Sequence, residues 1–490
     1  MTNTQMELKP FVPPRGSWNT VDGTAPGARW MNPEELSGPE WALEPGRLLL
    51  GMSDDCQEVA YGDDRHMVTI AGSRAGKTAT VIVPNLQNYP GSAIVIDPKG
   101  ELVELTALDR LAMGQNIRIL DPFGEVKERG KLAKAAARTG VAFADESASF
   151  NPIAELREIT NEDKRLGEAA SLADAFIVSG ETEPHWGDSA KGLVQAVALH
   201  LATGQSAYPA DLNSIVRFFA STDVQEDVYR EMKLNEAYFG YLKDVAATNA
   251  KRLDDGSKEY VSIISTANTQ LAPLRDMRRI SQESSFSLAA LKAKEKTTLY
   301  LVLPASRMGT HFGWLRMIIT LALSALERAP QPEGGYRPGN GNFPVLFLLE
   351  EFAALGYMRP IERAAGFIAS FGVKLWPVLQ DLQQLKRHYK DSWQTFLGNA
   401  GVIQVFGLND GATEDMISQR LGNTQYEDDD IRRQSGYTTR QVNLPKTKRI
   451  GRLLEAHEVR MQFSRETHRQ IILIPDLPPI ALFRLPFQSA

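Results

Sequence analysis

Ile70-Ala71-Gly72-Ser73-Arg74-Ala75-Gly76-Lys77-Thr78 is the stretch on which the reading of this chain turns. It fits the phosphate-binding pattern G-x-x-x-x-G-K-[ST], with Ala71 in the first glycine position. Small residues let successive backbone N–H groups curl around a phosphate chain. Lys77 brings a point charge to the terminal phosphates, and the Thr78 hydroxyl is suited to holding a Mg²⁺ ion. The nucleotide-binding set is therefore Gly72, Ser73, Arg74, Ala75, Gly76, Lys77 and Thr78. Met67-Val68-Thr69-Ile70 is a short apolar run suited to a buried strand. Ala79-Thr80-Val81-Ile82-Val83 opens a helix whose N-terminus faces the anion. A chance Gly-rich turn would lack that context.

The chain has 490 residues, which predicts two or three domains. Its 43% hydrophobic and 23% charged residues are those of an ordinary globular protein. With a net charge of −6, any nucleic-acid surface must be local. The single cysteine, Cys56, excludes an internal disulfide framework and suits a reducing compartment. No apolar run approaches the roughly 18 residues that cross a bilayer, and the N-terminus lacks the charged start and apolar block of a signal peptide.

Residues 1–47 are rich in Pro, Gly and polar residues and carry Trp18, Trp30 and Trp41, which predicts an extended arm pinned by aromatic anchors. Residues 48–150 form the first part of a nucleotide-binding domain. Strands are predicted at Leu48–Leu50, Glu58–Tyr61 and Ser92–Ile96 (stopped by Asp97-Pro98), and at Ile117–Leu120. The basic run from Lys127 to Arg138 reads as a solvated loop or helix. Residues 151–291 change to helical spacing: Leu193, Val197 and Leu201 line one face, and Asp211 caps a helix bearing Ile215, Phe218 and Phe219. This predicts an all-α domain inserted into the sheet domain.

Residues 292–490 return to strands at Thr297–Leu303, Val345–Leu349, Leu375–Leu379 and Val402–Phe406, with a helix from Trp314 to Arg328. Glu427 to Arg440 is polar and charged, and Ile471–Ile474 and Ile480–Leu485 read as edge strands. Strands alternating with helices predict an α/β fold with a mainly parallel sheet covered on both faces.

Val345-Leu346-Phe347-Leu348-Leu349 ends in Glu350-Glu351. In a parallel sheet that end opens on the crevice holding the phosphate loop. Glu350 then serves the Mg²⁺ shell and Glu351 orients an attacking water. Asp97, which also ends an apolar strand, is the rival for the metal. Gln380 ends the next polar-ended strand and would stand near the terminal phosphate.

Transition-state charge on a transferring phosphoryl group calls for an arginine. Arg363, Arg387 and Arg420 are all available, and the residue pattern does not choose among them. His185-Trp186 has no second His or Cys at ligand spacing, so no metal beyond Mg²⁺ is expected. Candidate DNA-contacting cations are Arg432, Arg433 and Arg440, and Lys446, Lys448, Arg449 and Arg452.

The Walker A loop, Asp97-Pro98-Lys99-Gly100-Glu101 and the block from Leu346 through Glu351 to Gly356 resemble the conjugative type IV secretion coupling proteins, the TraG-like DNA-transfer ATPases. The likeness continues through Leu375-Trp376, Gln380-Asp381-Leu382, Thr395–Asn399 and Phe406-Gly407-Leu408-Asn409-Asp410. It implies a RecA-like P-loop NTPase domain with an inserted all-α domain, ATP and Mg²⁺ as cofactors, a hexameric ring around a DNA channel, and delivery of a relaxase–DNA complex or an effector protein to the secretion channel. The family usually has Asp where this chain has Glu350. It also usually carries membrane-spanning helices before the Gly27-Ala28-Arg29-Trp30 segment.

The function expected is an ATP-driven pump for DNA or protein-bound DNA, with a nucleotide-dependent docking platform for effectors as the alternative. A metabolic P-loop kinase fits poorly, for want of an acceptor site. The chain is expected to be cytoplasmic, monomeric or weakly associated when purified, and recruited to the inner membrane by a partner. The arm either provides the recruiting segment or packs on its own domain.

Overall fold

The computed structural model describes residues 10–14, 27–126, 132, 134, 148–179, 184–336, 341–428 and 447–485, with only the backbone of 427, 428, 447 and 448. The chain forms two compact units. The first joins Met1–Tyr89 to Trp376–Ala490, and the second is Pro90–Leu375.

In the first unit, β1 (Leu48–Met52), β2 (Glu58–Tyr61), β3 (His66–Ala71), β8 (Val373–Leu379, entering this unit at Trp376), β9 (Ala400–Phe406), β12 (Arg469–Leu473) and β13 (Ile480–Phe483) lie in the order β2-β1-β13-β12-β9-β3-β8. β3 runs parallel to β9 and β8. From β9 outward the pairs β9–β12, β12–β13, β13–β1 and β1–β2 are antiparallel. The final strands are therefore interior, against the expectation of edge strands. Ile471, Ile472, Ile480 and Leu482 are wholly buried, and β12 and β13 have a hydrogen-bonded neighbour on each side. Runs without a polar alternate residue belong inside a sheet covered on both faces. The outer strand is the short β2, whose Glu58 is exposed.

A separate ribbon pairs β10 (Asn423–Asp428) with β11 (Thr447–Arg452) in antiparallel register. The predicted polar segment Glu427 to Arg440 thus begins in a strand, and residues 429–446 lie outside the described residues.

The second unit holds β4 (Ala93–Asp97), β5 (Asn116–Leu120), β6 (Thr297–Val302) and β7 (Val345–Leu349), all parallel in the order β7-β4-β6-β5. β4, β6 and β7 are buried at every position. Burying each Val, Leu or Ile side chain contributes about 1.5–3 kcal/mol, which holds so apolar a sheet under its helices. Between β5 and β6 the described residues form helices and turns and no strand. They include Pro184–Thr203, whose buried face holds Leu193, Val194, Val197, Ala198 and Leu201, and Leu212–Ala220, capped by Asp211 through Ser214 N. The helix expected from Trp314 starts earlier, at Ala305, running through Gly309 and Gly313 to Arg328.

The described part of the arm packs on its own unit. Trp30 is fully buried, stacked on Phe463 at 5.8 Å and edge-on to Phe11 at 4.9 Å. Trp41 stacks on Tyr61. Met31 N donates to Pro479 O at 2.8 Å. Trp18 lies outside the described residues.

Candidate nucleotide site

β3 delivers the chain into the phosphate loop, where the backbone reverses twice. Arg74 has φ 57° and Gly76 φ 91°, the left-handed region on alternate residues. Glycine adopts it freely, whereas Arg74 does so at a cost of roughly 1–3 kcal/mol. Such reversals bring successive N–H groups to one side and make an anion-binding concavity. Lys77 is buried, Thr78 half-buried, and Ser73 and Arg74 exposed. Thr78–Ile82 is a single wide π-helical turn that passes into the α-helix α1 (Val83–Asn88), with Pro84 in its first turn. Thr80 Oγ1 donates to Gly76 O at 2.9 Å and ties this turn to the loop. Asn85, fully buried in α1, exchanges two 2.8 Å bonds with the Leu49 backbone, so the helix is fastened to β1.

The loop is braced from behind by groups the sequence reading did not assign. Gly407 follows β9 with φ 58°, and its N–H donates to Phe463 O at 2.7 Å. Its carbonyl leaves no room for a side chain at Gly72. Arg484, buried beyond the end of β13, donates to Ala75 O and to Arg465 O and lies 4.8 Å over the Phe406 ring. Burial and the nearby Arg465 push its guanidinium down to about 10. In the sequence it stands only as a lone arginine after the apolar run Ile480–Phe483, with nothing to name its partner.

Gln380 directly follows β8, whose Leu379 pairs with Ile70 of β3. The structure therefore brings Gln380 to the same strand ends from which the phosphate loop springs. Asp381 caps the next helix, Leu382–Tyr389, by accepting from Gln384 N at 2.8 Å.

In the second unit, Asp97 and Glu350 end neighbouring parallel strands, two residues beyond the register pair Val95↔Leu348. Their environments differ. Asp97 is buried and accepts from Val103 N at 2.9 Å and Lys99 N at 3.3 Å, at the start of α2 (Glu101–Ala112). Burial raises its carboxyl to about 6 against these backbone donors. Asp121, after β5, likewise accepts from Gly124, Glu125 and Val126 N. Both aspartates thus fasten their own loops. Glu350 is largely buried, and Glu351 is half-buried with φ 54°, a left-handed conformation rare outside glycine and asparagine.

The three arginines lie on three different helices. Arg363 stands exposed on Arg359–Phe367, lining a cleft of about 230 Å³ with Arg359, Asp174 and Glu327. Arg387 lies in the last turn of Leu382–Tyr389. Arg420, in the last turn of Gly411–Leu421, has its guanidinium pushed down by burial. His185 faces Glu259 at 3.2 Å, and no group of His, Cys, Asp and Glu able to hold a metal occurs among the described residues. Of the basic candidates, Arg432, Arg433, Arg440, Lys446 and the Lys448 side chain lie outside the described residues, as does most of the run from Lys127 to Arg138. Arg449 is exposed, and Arg452 is paired with Asp415 at 2.5 Å. No helix among the described residues is long and apolar enough to cross a membrane.

A parallel strand feeding a left-handed loop with a buried lysine, followed by a helix, inside an α/β sheet, is the architecture of a RecA-like P-loop NTPase. The bacterial conjugative coupling protein TrwBdeltaN70, in its trigonal form with sulphate, matches it with a TM-score of 0.67 at 13% identity, over 97% of both chains. Plasmid coupling protein TrwB with the ATP analogue ADPNP matches at 0.65 and 14% identity, over 95% of both chains. The family model for Type IV secretory system Conjugative DNA transfer matches residues 42–487, and the chain belongs to that family. Protein VirD4 of Rhizobium radiobacter is 24% identical over 463 residues, 93% of this chain and 61% of its own length. Conjugal transfer protein TraG of Escherichia coli is 25% identical over 408 residues, 80% of this chain and 61% of its own. The chain thus spans about three fifths of the length of these curated relatives.

Proposed function

We propose that this chain is the nucleotide-driven motor of a coupling protein, which hydrolyses ATP with Mg²⁺ to move DNA, or protein attached to DNA, into a type IV secretion channel. The observation that carries the reading is the phosphate loop itself, with its left-handed residues at Arg74 and Gly76 and its lysine at position 77. Family membership supplies the transport context. The TrwB structures holding ADPNP, or ADP with Mg²⁺, support the choice of ligand.

In this reading the loop N–H groups and Lys77 would grip the β- and γ-phosphates, and Thr78 and Glu350 would hold Mg²⁺, whose charge would favour the negative phosphates. Glu351 orients the attacking water and Gln380 stands at the terminal phosphate. Glu351 is preferred as the water-orienting acid for its place at the end of β7 and its unusual backbone. Asp97, whose carboxylate accepts from the backbone N–H groups of Lys99 and Val103, remains the rival for the metal. The stretch 151–291 acts as an inserted all-α module, and subunits close into a ring on DNA. Membrane recruitment by another secretion component completes the proposal.

ATPase activity of the purified chain, with and without single- and double-stranded DNA and alongside its mass in solution, tests this. Stimulation by DNA with self-association supports a motor. Nucleotide binding that DNA leaves unaffected would replace the motor with a docking platform for protein effectors.

A further inference from the structure

Beneath the phosphate loop, four wholly buried polar side chains, Trp376, Thr69, Gln404 and Gln470, join in one line of hydrogen bonds. The Trp376 indole N–H donates to Thr69 Oγ1 at 2.8 Å. Thr69 Oγ1 donates to Gln404 Oε1 at 2.9 Å, and Gln404 Nε2 donates to Gln470 Oε1 at 2.6 Å. Gln470 Nε2 ends the line on the carbonyls of Leu50 at 2.6 Å and Phe483 at 3.2 Å.

The direction of every bond follows from one end. An indole only donates, so the Thr69 hydroxyl must accept from it and direct its single proton to Gln404. That turns the Gln404 carbonyl toward Thr69 and its amide toward Gln470, and Gln470 is turned in the same way. The line crosses β8, β3, β9 and β12 and finishes on β1 and β13. Gly51 makes room for it: a β-carbon there would come closer than 3.0 Å to both Gln470 Nε2 and Phe483 O. Apolar residues of similar size would fill this core without such demands. The arrangement therefore has a use besides filling space.

Its position suggests that use. Thr69 lies on the strand that leads into the loop, and Trp376 lies on the strand that leads into Gln380. β3 and β8 are joined by just two register pairs, Thr69↔Val378 and Ile70↔Leu379, whereas β3 and β9 pair from His66 to Ala71. A slip of one residue would move Gln380 by about 3.3 Å and turn its side chain to the other face.

We infer that Trp376 and Thr69 are positioning residues, which lock β8 to β3 so that Gln380 stands at a fixed height beside the phosphate loop. Gln404 and Gln470 anchor that lock to the antiparallel half of the sheet. The inference rests on the proposed hydrolysis and on the place of Gln380 in it.

The test compares Thr69→Val, which keeps the shape and removes the hydroxyl, with Thr69→Ser, which keeps the hydroxyl. Thr69→Val should lower kcat about tenfold or more while the Kd for an ATP analogue stays within about threefold; Thr69→Ser should restore turnover. Combining Thr69→Val with Gln380→Ala should be no worse than Gln380→Ala alone, because both remove the same contribution. Wild-type kcat in Thr69→Val, or kcat and affinity falling together in a folded variant, would overturn the inference. Should Thr69→Val fail to fold, Trp376→Phe deletes only the indole donor and must give the same split. If the wild-type chain binds ATP without turning it over, the hydrolysis reading itself fails. The lock is then read from amide hydrogen exchange at Val378, Leu379 and Gln380, which must quicken in Thr69→Val. Unchanged exchange sinks it.

Discussion

The carbonyl oxygen of Gly407 stands so close to Gly72 that a β-carbon on Gly72 would fall inside the 3.0 Å real β-carbons keep. The obstacle is backbone, so one chain must yield. Gly72→Ala should weaken ATP binding at least tenfold and cost about 1–3 kcal/mol of stability, as overpacking does. Isothermal titration and denaturant melts check both. Unchanged affinity would mean that the loop does not need this seat.

Lys77 and Glu351 should fail differently. Lys77→Ala removes the charge on the phosphates, so binding and turnover are lost together. Glu351→Gln keeps the shape and removes the base, so ATP should bind and stay uncleaved, with turnover down about 10²–10⁴-fold. Single-turnover assays beside binding titrations separate the two. Normal turnover in Glu351→Gln would remove it from the mechanism and promote Glu350 or Asp97.

Stability should fall as pH rises from about 4.5 to about 7 because of Glu155. Burial raises its carboxyl from 4.5 to about 7, against the Leu288 N–H and Arg328, which pull it down. The folded state holds this proton more tightly than the unfolded chain, so the stabilisation is complete below 4.5 and lost as pH climbs through about 7. Glu155→Gln should flatten that decline by up to about 3 kcal/mol. Urea melts at pH 5 and pH 8 measure it, and an equal slope in the variant would clear Glu155 of the effect.

DNA affinity should drop steeply with salt and depend little on sequence. The net charge is −6, so any contact would come from local cations that release counterions, with log affinity falling about 0.9 per tenfold rise in salt for each phosphate neutralised. Arg449→Ala should lower that slope by about one if Arg449, exposed on β11, touches phosphate. A flat salt response would exclude an electrostatic grip.

The strand and its phosphate loop were legible because their signal is local. An apolar strand, a small-residue loop and a lysine lie in one short stretch. What brackets that stretch was not legible. Arg484 reaches the Ala75 carbonyl from 409 residues away, and Gly407 backs Gly72 from the end of the neighbouring strand. β12 and β13 read as edges because short apolar runs near the end of a sequence carry no sign of their neighbours; two-sided pairing decides that, and pairing is non-local. Asp97 and Glu350 end their strands in the same way in sequence. What the structure adds for Asp97 is the backbone N–H groups that its carboxylate gathers at the start of α2.

The bond from Arg484 to the Ala75 carbonyl has a consequence for how the protein is made. The phosphate loop leaves the ribosome well ahead of the guanidinium that steadies it, which follows 409 residues later. At about 5–20 residues per second, the nascent loop waits roughly 20–80 seconds for its brace. The second unit lies wholly between these two segments, so its chain is complete before the first unit can close. A ribosome stalled ahead of β13 would hold a chain with its phosphate loop written and not yet seated.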